Sequence, residues 1–304
     1  MRFARERYAG IWVPLVTPFR DDEPDLDALV RIVDWLLDRG VQGLVVLGST
    51  GERPHLSAAE AARVVRSAVE AASRRVPVMV GAGHESTRET LRAIDAYAAL
   101  GADAVLVLPP FYYRKDTSPD TLGAHYAAVA AGSPLPVFVY HVPQITGIDL
   151  EASLLVDIVS HPNVWGFKDS SVRGGPLAGT LQAIAARGLT TRAFVGGGGR
   201  VVEALEAGAC GGILAVAHVL PEICVRLVQA FGAGRRAEAV RFQGILVELL
   251  TAIGGAAIAG VKCGLRLRGM DVGPPRLPLA PATPAVEARV EAVLAAAAAA
   301  ARNP

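Results

Sequence analysis

Cysteine and lysine are both scarce in this chain of 304 residues. The cysteines number three, no two of them have a C-x-x-C spacing, and this excludes a disulfide framework or a structural zinc site as the basis of the fold. They are Cys210, Cys224 and Cys263. Only three of the 30 basic residues are lysine, so a lysine inside an apolar segment is conspicuous. Those lysines are Lys115, Lys168 and Lys262.

The chain also has no marked excess of positive or negative charge. The formal net charge is +1, and both signs are spread along the chain. We find no basic stripe or acidic tail, so the sequence predicts neither a nucleic-acid partner nor a membrane partner. The first ten residues have no apolar core of a secretory signal, and no run of about 18 uncharged apolar residues predicts a membrane span. We therefore expect a cytoplasmic protein.

Eight short apolar runs alternate with stretches of helical periodicity. The runs are rich in valine and nearly continuous in apolar residues, which is typical of parallel strands buried on both faces. They lie at 11–16, 43–47, 76–80, 104–108, 136–140, 164–167, 192–195 and 212–215. Between them, segments such as 26–38 and 58–73 repeat apolar residues at the spacing of an amphipathic helix.

This alternation predicts an α/β fold, a TIM (β/α)8 barrel over residues 1–220. A doubly wound open sheet is the rival fold, but its first strand is usually followed by G-x-G-x-x-G. Here the first run leads into VTPF at 16–19, which favours the barrel. Further helical patterns at 221–231, 235–253, 256–268 and 285–301 predict a C-terminal helical appendage over 221–304.

The ends of the predicted strands carry most of the side chains that could do chemistry. A barrel places its active site at the carboxyl ends of its strands. The relevant segments are GSTGE at 48–52, PPFYY at 109–113, YHVP at 140–143, KDS at 168–170 and the glycine run at 196–199. Several strands therefore offer hydroxyls, phenols and an amine to one mouth.

Lys168 is the focus of these candidates because it follows the apolar residues 164–167. Burial among such residues favours the uncharged amine, which can attack a carbonyl carbon to form an imine. The alternative to a catalytic role is a structural lysine whose amine reaches water or pairs with Asp169. Tyr140 suits proton transfer, although it could also be a core tyrosine. Ser49, Thr50 and the nearby backbone amides could hold a carboxylate, although an ordinary polar turn has the same sequence.

Together these motifs resemble the dihydrodipicolinate synthase / N-acetylneuraminate lyase family over almost the whole length of the chain. The similarity is carried by GSTGE at 48–52, Y-x-V-P-x-x-T-G at 140–147 and G-x-K-D-S at 166–170, in this order and spacing. The resemblance implies a class I lyase in which Lys168 forms a Schiff base with pyruvate or a pyruvate-derived 2-oxo acid. It also implies that no metal and no organic cofactor take part.

The resemblance further implies roles for the other residues. Tyr140 would transfer protons, and Ser49 would belong to a proton relay that Tyr112 completes from a neighbouring subunit. Thr50 would bind the carboxylate of the oxo acid. Two further positions would line the pyruvate pocket: Gly197 and Ile213. The family resemblance implies a homotetramer, assembled as a dimer of dimers.

Departures from the family pattern bear on the substrate. Dihydrodipicolinate synthases carry an arginine where this chain has Ile145, and that arginine helps hold the carboxylate of the aldehyde partner. An apolar side chain cannot make this bidentate contact. His141 replaces the usual asparagine. Three more residues differ from those of lysine-inhibited synthases, so feedback by lysine is not expected. They are Arg53, Glu85 and Phe111.

Several segments resemble instead 4-hydroxy-2-oxoglutarate aldolase, the branch of the family that releases pyruvate and glyoxylate. They lie at 83–87, 111–114, 140–150 and 161–164. In that branch the serine matching Ser170 is implicated in substrate binding. Thr50 departs from the asparagine that the animal enzymes of this branch often carry.

Three functional hypotheses therefore stand: an aldolase for 4-hydroxy-2-oxoglutarate or a related oxo acid, a synthase or dehydratase with the same Schiff-base chemistry, and a noncatalytic small-molecule-binding barrel. The chemical set formed by Lys168, Tyr140 and Ser49 counts against the third. We expect Glu52 to be a structural partner of its turn and Lys262 to lie at the surface or an interface. The histidines lack the spacing of metal ligands.

Overall fold

Eight parallel strands form a closed barrel in the computed structural model, which describes residues 2–171 and 177–302. All eight predicted strands are confirmed, and their ends differ from the predicted ones by at most two residues. We number them β1 Gly10–Pro14, β2 Gly43–Val46, β3 Val78–Gly81, β4 Ala104–Val107, β5 Val137–His141, β6 Val164–Asp169, β7 Arg192–Val195 and β8 Gly211–Ile213. The predicted barrel fold is therefore correct.

Helices surround this barrel. Those of six residues or more are α1 Leu26–Leu37, α2 Ala58–Ala72, α3 Thr87–Ala99, α4 Pro119–Gly132, α5 Ala152–Val159, α6 Leu177–Ala186, α7 Val201–Glu206, α8 Pro221–Gly232, α9 Arg236–Ile253, α10 Ala257–Leu267 and α11 Pro284–Arg302, and a single helical turn, Pro143–Thr146, follows β5. Helix α8 packs on β1, as the eighth helix of such a barrel does, and α9–α11 form the C-terminal helical region. The division of the chain at residue 220 stays a prediction.

Polar residues fix where several helices begin. Ser57 accepts a hydrogen bond from the backbone N–H of Glu60, and the Glu60 carboxylate accepts one from the N–H of Ser57. These two bonds form a capping box at the start of α2. Asp25 and Ser86 cap α1 and α3 through their side chains in the same way. Each cap satisfies a backbone N–H that has no partner inside its helix.

The apolar core has two layers. One lies between the barrel and its helices, and the other fills the barrel itself. Aromatic rings close the amino-terminal half of the interior: Tyr8 stacks on Trp12 and on Phe138, with ring centroids 5.3 and 5.4 Å apart. Trp165 meets the Tyr8 ring edge-on, and Phe194 meets the Trp12 ring in the same way. These rings therefore form a packed core inside the barrel, toward the amino ends of the strands.

One helical stretch, Arg236–Leu267, has the length and apolar composition of a membrane span, which the sequence had not led us to expect. This is weak support for a membrane location, because core helices meet the same criterion. In the structure the stretch is divided into α9 and α10 by a turn at Gly254–Ala256. Its buried residues, among them Phe242 and Leu246, belong to the layer of core outside the barrel.

Candidate active site

Lys168 and Tyr140 lie side by side at the carboxyl end of the barrel. The two residues are register partners on β6 and β5, so their side chains project from neighbouring strands onto the same face. The Lys168 Nζ atom lies 4.3 Å from the centroid of the Tyr140 ring. Both side chains are almost fully buried, with 6% and 5% of their surfaces exposed. The barrel thus removes an amine and a phenol from water and holds them in contact.

The environment of Tyr140 favours the loss of its proton. Burial by itself would raise the pKa of this phenol. The positive charge of Lys168 and hydrogen bonds donated to the phenol oxygen by Ser49, Lys168 and Ser170 outweigh burial and lower the pKa below its usual range. A phenol in this setting gives up its proton more readily than a free tyrosine does.

Gly196 makes room for two of these side chains. A Cβ atom at this position would overlap the Ser170 hydroxyl oxygen and would lie 3.1 Å from the Lys168 Cε atom. The backbone N–H of Gly196 donates to the carbonyl of Asp169, which ties the start of the glycine run to the end of β6. The run at 196–199 therefore begins at a position where a side chain would displace Ser170 and crowd Lys168.

Ser49 reaches the site from a short turn after β2. Residues Ser49–Gly51 form a single 3-10 turn, and Glu52 follows in the left-handed conformation with φ 55°. Ser49 and Tyr140 both line a cavity of about 410 Å³, which we call the Ser49 cavity. Its other walls include Arg53, His84, Phe111 and Ile145. Lys168 is not among its described lining residues, so Tyr140 is the link between the amine and this space.

The four predicted substrate-binding residues lie in different surroundings. Thr50 lines a smaller cavity of about 140 Å³, which shares Ile258 with the Ser49 cavity. Ile213 is buried in the barrel interior in the same apolar cluster as Tyr140. Gly197 has open space where a Cβ would project. Ser170 is one of the neighbours that lower the pKa of the Tyr140 phenol. Their predicted substrate contacts stay predictions.

Tyr112 is the one predicted catalytic residue that this chain does not bring to the centre. Its side chain is 73% exposed and packs edge-on against Tyr113. We did not predict what holds it there: one oxygen of the Glu85 carboxylate accepts the backbone N–H groups of Phe111 and Tyr112, at 3.0 and 2.8 Å. Glu85 is thus a positioning residue for this loop. Its place in the segment 83–87 was the available signal.

His141 has a structural role on the other face of β5. Its Nδ1 atom lies 3.2 Å from Asp169 and its Nε2 atom 2.9 Å from Asp149, so the imidazole joins two carboxylates. Asp169 is its register partner on β6. Burial would raise the pKa of Asp169, but hydrogen bonds from His141 and Ser171 lower it instead. This contact clamps together the two strand ends that carry Tyr140 and Lys168.

Lys262 does not lie at the surface, so the first of the two positions that we expected for it is wrong. Only 2% of it is exposed, and its Nζ atom lies 2.7 Å from Glu52. The second carboxylate oxygen of Glu52 accepts the backbone N–H of Arg276 at 2.8 Å. Lys262 also donates to the carbonyl of Pro274. The prediction that Glu52 supports its turn is confirmed, and its partners come from the C-terminal region, which sequence spacing could not reveal.

Metal-ligating side chains do not cluster in the described part of the chain. Within residues 2–171 and 177–302, no group of three or more His, Cys, Asp or Glu side chains could hold a metal ion. His218 is a case in point: its Nε2 atom accepts the backbone N–H of Val16, and its other ring nitrogen is bonded to the carbonyl of Ala215. Burial lowers the pKa of His218 to about 4, which keeps the ring neutral.

Comparisons with known proteins agree with this geometry. The sequence profile described as the Dihydrodipicolinate synthetase family matches residues 7–297. A DapA-like lyase from Halobacterium salinarum is 38% identical over 272 residues, which are 89% of this chain and 88% of the relative. A 4-hydroxy-tetrahydrodipicolinate synthase from Acidiphilium cryptum is 36% identical over 289 residues, 94% of this chain and 97% of the relative.

Solved structures of the same family superpose closely. Dihydrodipicolinate synthase from Thermotoga maritima has a TM-score of 0.91 at 30% identity and covers 95% of this chain and 98% of its own. A prophage protein of the family from E. coli K12, solved in complex with pyruvate, has a TM-score of 0.89 at 28% identity, with 95% and 98% covered. The chain therefore belongs to the dihydrodipicolinate synthase family of class I lyases.

Proposed function

We propose that this protein is a Schiff-base aldolase that cleaves 4-hydroxy-2-oxoglutarate, or a closely related 4-hydroxy-2-oxo acid, to pyruvate and an aldehyde. One observation carries the proposal: the Lys168 amine lies 4.3 Å from the ring of a buried tyrosine whose pKa is lowered. An amine and a phenol in such contact can exchange the protons that imine formation requires. Binding of pyruvate by the E. coli relative supports the substrate class.

The proposed reaction begins with attack of the Lys168 nitrogen on the 2-oxo carbon. Loss of water from the carbinolamine gives an imine, with Tyr140 and Ser49 carrying the protons. Tyr140 then takes the proton of the 4-hydroxyl group, the C3–C4 bond breaks, and its electron pair passes into the imine to form an enamine. The aldehyde leaves, C3 is protonated, and water hydrolyses the imine to release pyruvate and free Lys168. We assign Thr50 and Ser170 to substrate binding and Gly197 and Ile213 to the pocket wall.

A synthase that condenses pyruvate with an aldehyde is the alternative. Its support is the name of the Acidiphilium cryptum relative, 4-hydroxy-tetrahydrodipicolinate synthase. Ile145 weighs against it, because this residue stands where the synthases hold a carboxylate and is an apolar side chain, 52% exposed. Cleavage and condensation would share the same imine and enamine, so the distal part of the substrate decides between them.

Assembly and location complete the proposal. The exposed Tyr112, held by Glu85, would enter a neighbouring subunit's site in a homotetramer built from dimers. The structure of a monomeric dihydrodipicolinate synthase variant, 30% identical to this chain, makes assembly a matter for measurement. The free thiols of Cys210, Cys224 and Cys263 fit a reducing, cytoplasmic location.

Borohydride trapping with pyruvate tests the central step. Borohydride reduces an imine to a stable amine, and mass spectrometry locates the adduct on the chain. We expect the adduct on Lys168 of the wild type and no adduct in Lys168→Ala. Pyruvate release from 4-hydroxy-2-oxoglutarate by Lys168→Ala should be lower than that of the wild type by at least about three orders of magnitude. Pyruvate release is followed with lactate dehydrogenase, beside a condensation assay that pairs pyruvate with an amino-acid semialdehyde.

Lys115→Ala is the matched control, because Lys115 is an exposed lysine of the same chain. It should keep both the adduct and the activity. An adduct that persists in Lys168→Ala would remove Lys168 from this role. Efficient condensation without cleavage of any hydroxy-oxo acid would favour the synthase.

A further inference from the structure

The turn that carries Ser49 ends in a residue with an unfavourable backbone conformation. Glu52 lies in the left-handed region, with φ 55°, which costs free energy for a residue that has a side chain. Glycine adopts this conformation without that cost, so a turn that required only its backbone shape would favour glycine at position 52. The contacts of the Glu52 side chain therefore have to compensate for the conformation of its backbone.

Those contacts come from the C-terminal region. One oxygen of the Glu52 carboxylate lies 2.7 Å from the Lys262 Nζ atom, and the other accepts the backbone N–H of Arg276 at 2.8 Å. The same Nζ atom donates to the carbonyl of Pro274 at 3.0 Å and lies 4.5 Å from the centroid of the Phe19 ring. Only 1% of Glu52 and 2% of Lys262 are exposed. Loss of either partner would leave an uncompensated buried charge.

The backbone of the turn connects this ion pair to Ser49. The N–H of Glu52 donates to the carbonyl of Ser49 at 3.2 Å, so the residue that pairs with the lysine is bonded directly to the residue with the reactive hydroxyl. On the barrel side, the Thr17 hydroxyl donates to the carbonyl of Gly51 at 2.6 Å. A Cβ atom on Gly51 would lie 2.9 Å from the carbonyl oxygen of Leu15. The turn therefore lies between the chain after β1 and the C-terminal region.

We propose that Lys262, acting through Glu52, is a positioning residue that fixes the Ser49 hydroxyl in the active site. This inference rests on the proposed Schiff-base function, in which Ser49 carries protons. Lys262 and Lys168 are both buried, but Lys262 has a carboxylate partner at 2.7 Å, whereas Lys168 lies against a phenol ring. An ammonium group paired with a carboxylate is not a nucleophile, so Lys262 contributes to the reaction only by placing another group.

A double-mutant cycle between Lys262 and Ser49 tests the proposal. Exchange of the pyruvate methyl protons for deuterium, followed by NMR, measures imine and enamine formation whatever the aldehyde partner. We expect Lys262→Met to lower kcat of exchange about 10- to 100-fold, as for a misplaced reacting group, and to change KM for pyruvate less than about threefold. In a Ser49→Ala background the same change should lower kcat less than about threefold, because no hydroxyl is left to misplace. Independent, multiplying effects would contradict the proposal, as would a change in KM alone.

Two further variants separate placement from folding. Leu265 is a fully buried residue of α10, the helix of Lys262, so Leu265→Ala should lower the melting temperature and change kcat of the folded protein less than about twofold. The double variant Glu52→Gln/Lys262→Met leaves no unpaired buried charge. Its melting temperature should return toward that of the wild type, while kcat stays as low as in Lys262→Met. Equal losses of kcat in Leu265→Ala and Lys262→Met, or recovery of kcat together with stability in the double variant, would overturn the positioning role.

Borohydride trapping separates this inference from the function on which it rests. The wild type should carry the pyruvate adduct on Lys168, and Lys262→Met should form the same adduct more slowly. Lys115→Met, at an exposed lysine, should match the wild type in both trapping and exchange. Equal rates of adduct formation in the wild type and Lys262→Met would reject the positioning role and keep the Schiff-base enzyme. Absence of both the adduct and the exchange in the wild type would reject the enzyme itself.

Discussion

The two ends of the barrel interior are built differently although the same strands run through both. On β5, Phe138 and Tyr140 are two residues apart and share a face, and their register partners on β6 are Gly166 and Lys168. Gly166 makes room for the Phe138 ring, since a Cβ there would lie 2.8 Å from it. Two residues further along, the same pairing brings an amine onto a phenol. Alternate residues of a strand thus point into the barrel at successive levels. We call the level of Phe138 and Gly166, which is packed, the lower layer, and the level of Tyr140 and Lys168, which carries the reactive groups, the upper layer.

Among the substitutions that test this difference between the two layers, Tyr140→Phe should have the largest effect. The change removes one hydroxyl group from the upper layer and keeps the ring that packs beside Lys168. Loss of a general acid–base group costs about 10²- to 10⁴-fold in rate, so kcat for pyruvate release should fall by that factor. Thermal unfolding should change little. If activity persisted within a few-fold of wild type, the phenol would be a core residue with a satisfied hydroxyl.

Phe138→Ala should have the opposite profile. This side chain is fully buried and its ring stacks on Tyr8, so its removal leaves a cavity in the lower layer. We expect the free energy of unfolding, measured by denaturant titration, to fall by about 3–5 kcal/mol. The variant should still form the pyruvate adduct at temperatures where it is folded. A variant of normal stability that forms no adduct would mean that the two layers are not separable.

Gly196→Ala should have the smallest effect of the three. It tests how precisely the side chains of the upper layer have to be placed. The added methyl group would overlap the Ser170 hydroxyl and crowd Lys168, so kcat/KM should fall about tenfold, as for a misplaced reacting group. Gly244→Ala on α9 is the matched control, because a Cβ there meets nothing within 4 Å. That control should keep full activity. Equal activity of the two variants would show that the site tolerates displacement of Ser170.

The strands could be predicted because parallel strands buried on both faces are apolar throughout. The runs at 104–108 and 164–167 predicted strands of the barrel because they are apolar throughout. The reactive residues were predicted from the rule that the carboxyl ends of the strands surround one active site. Lys168 and Tyr140 were predictable for this reason. The family resemblance added their roles, which spacing alone left open.

Contacts between distant segments could not be predicted in the same way. Glu85 and the backbone of Tyr112 are 27 residues apart, and nothing in either segment indicates the other. Lys262 looked like a surface residue because a single lysine in a helix is usually solvated. Its burial depends on Glu52, a partner that only the folded chain supplies. Long-range ion pairs and the contacts that hold loops depend on tertiary geometry, which the local sequence pattern does not indicate.

The bond between Arg276 and Glu52 has a consequence for how the enzyme is made. It joins residues 224 apart, and Lys262 reaches the same carboxylate from α10. While the ribosome is still adding the last helices, the barrel strands are already outside or leaving the exit tunnel, but Glu52 has neither partner. Because Glu52 directly follows the Ser49 turn, this turn gains that support only after the chain as far as residue 276 has left the ribosome.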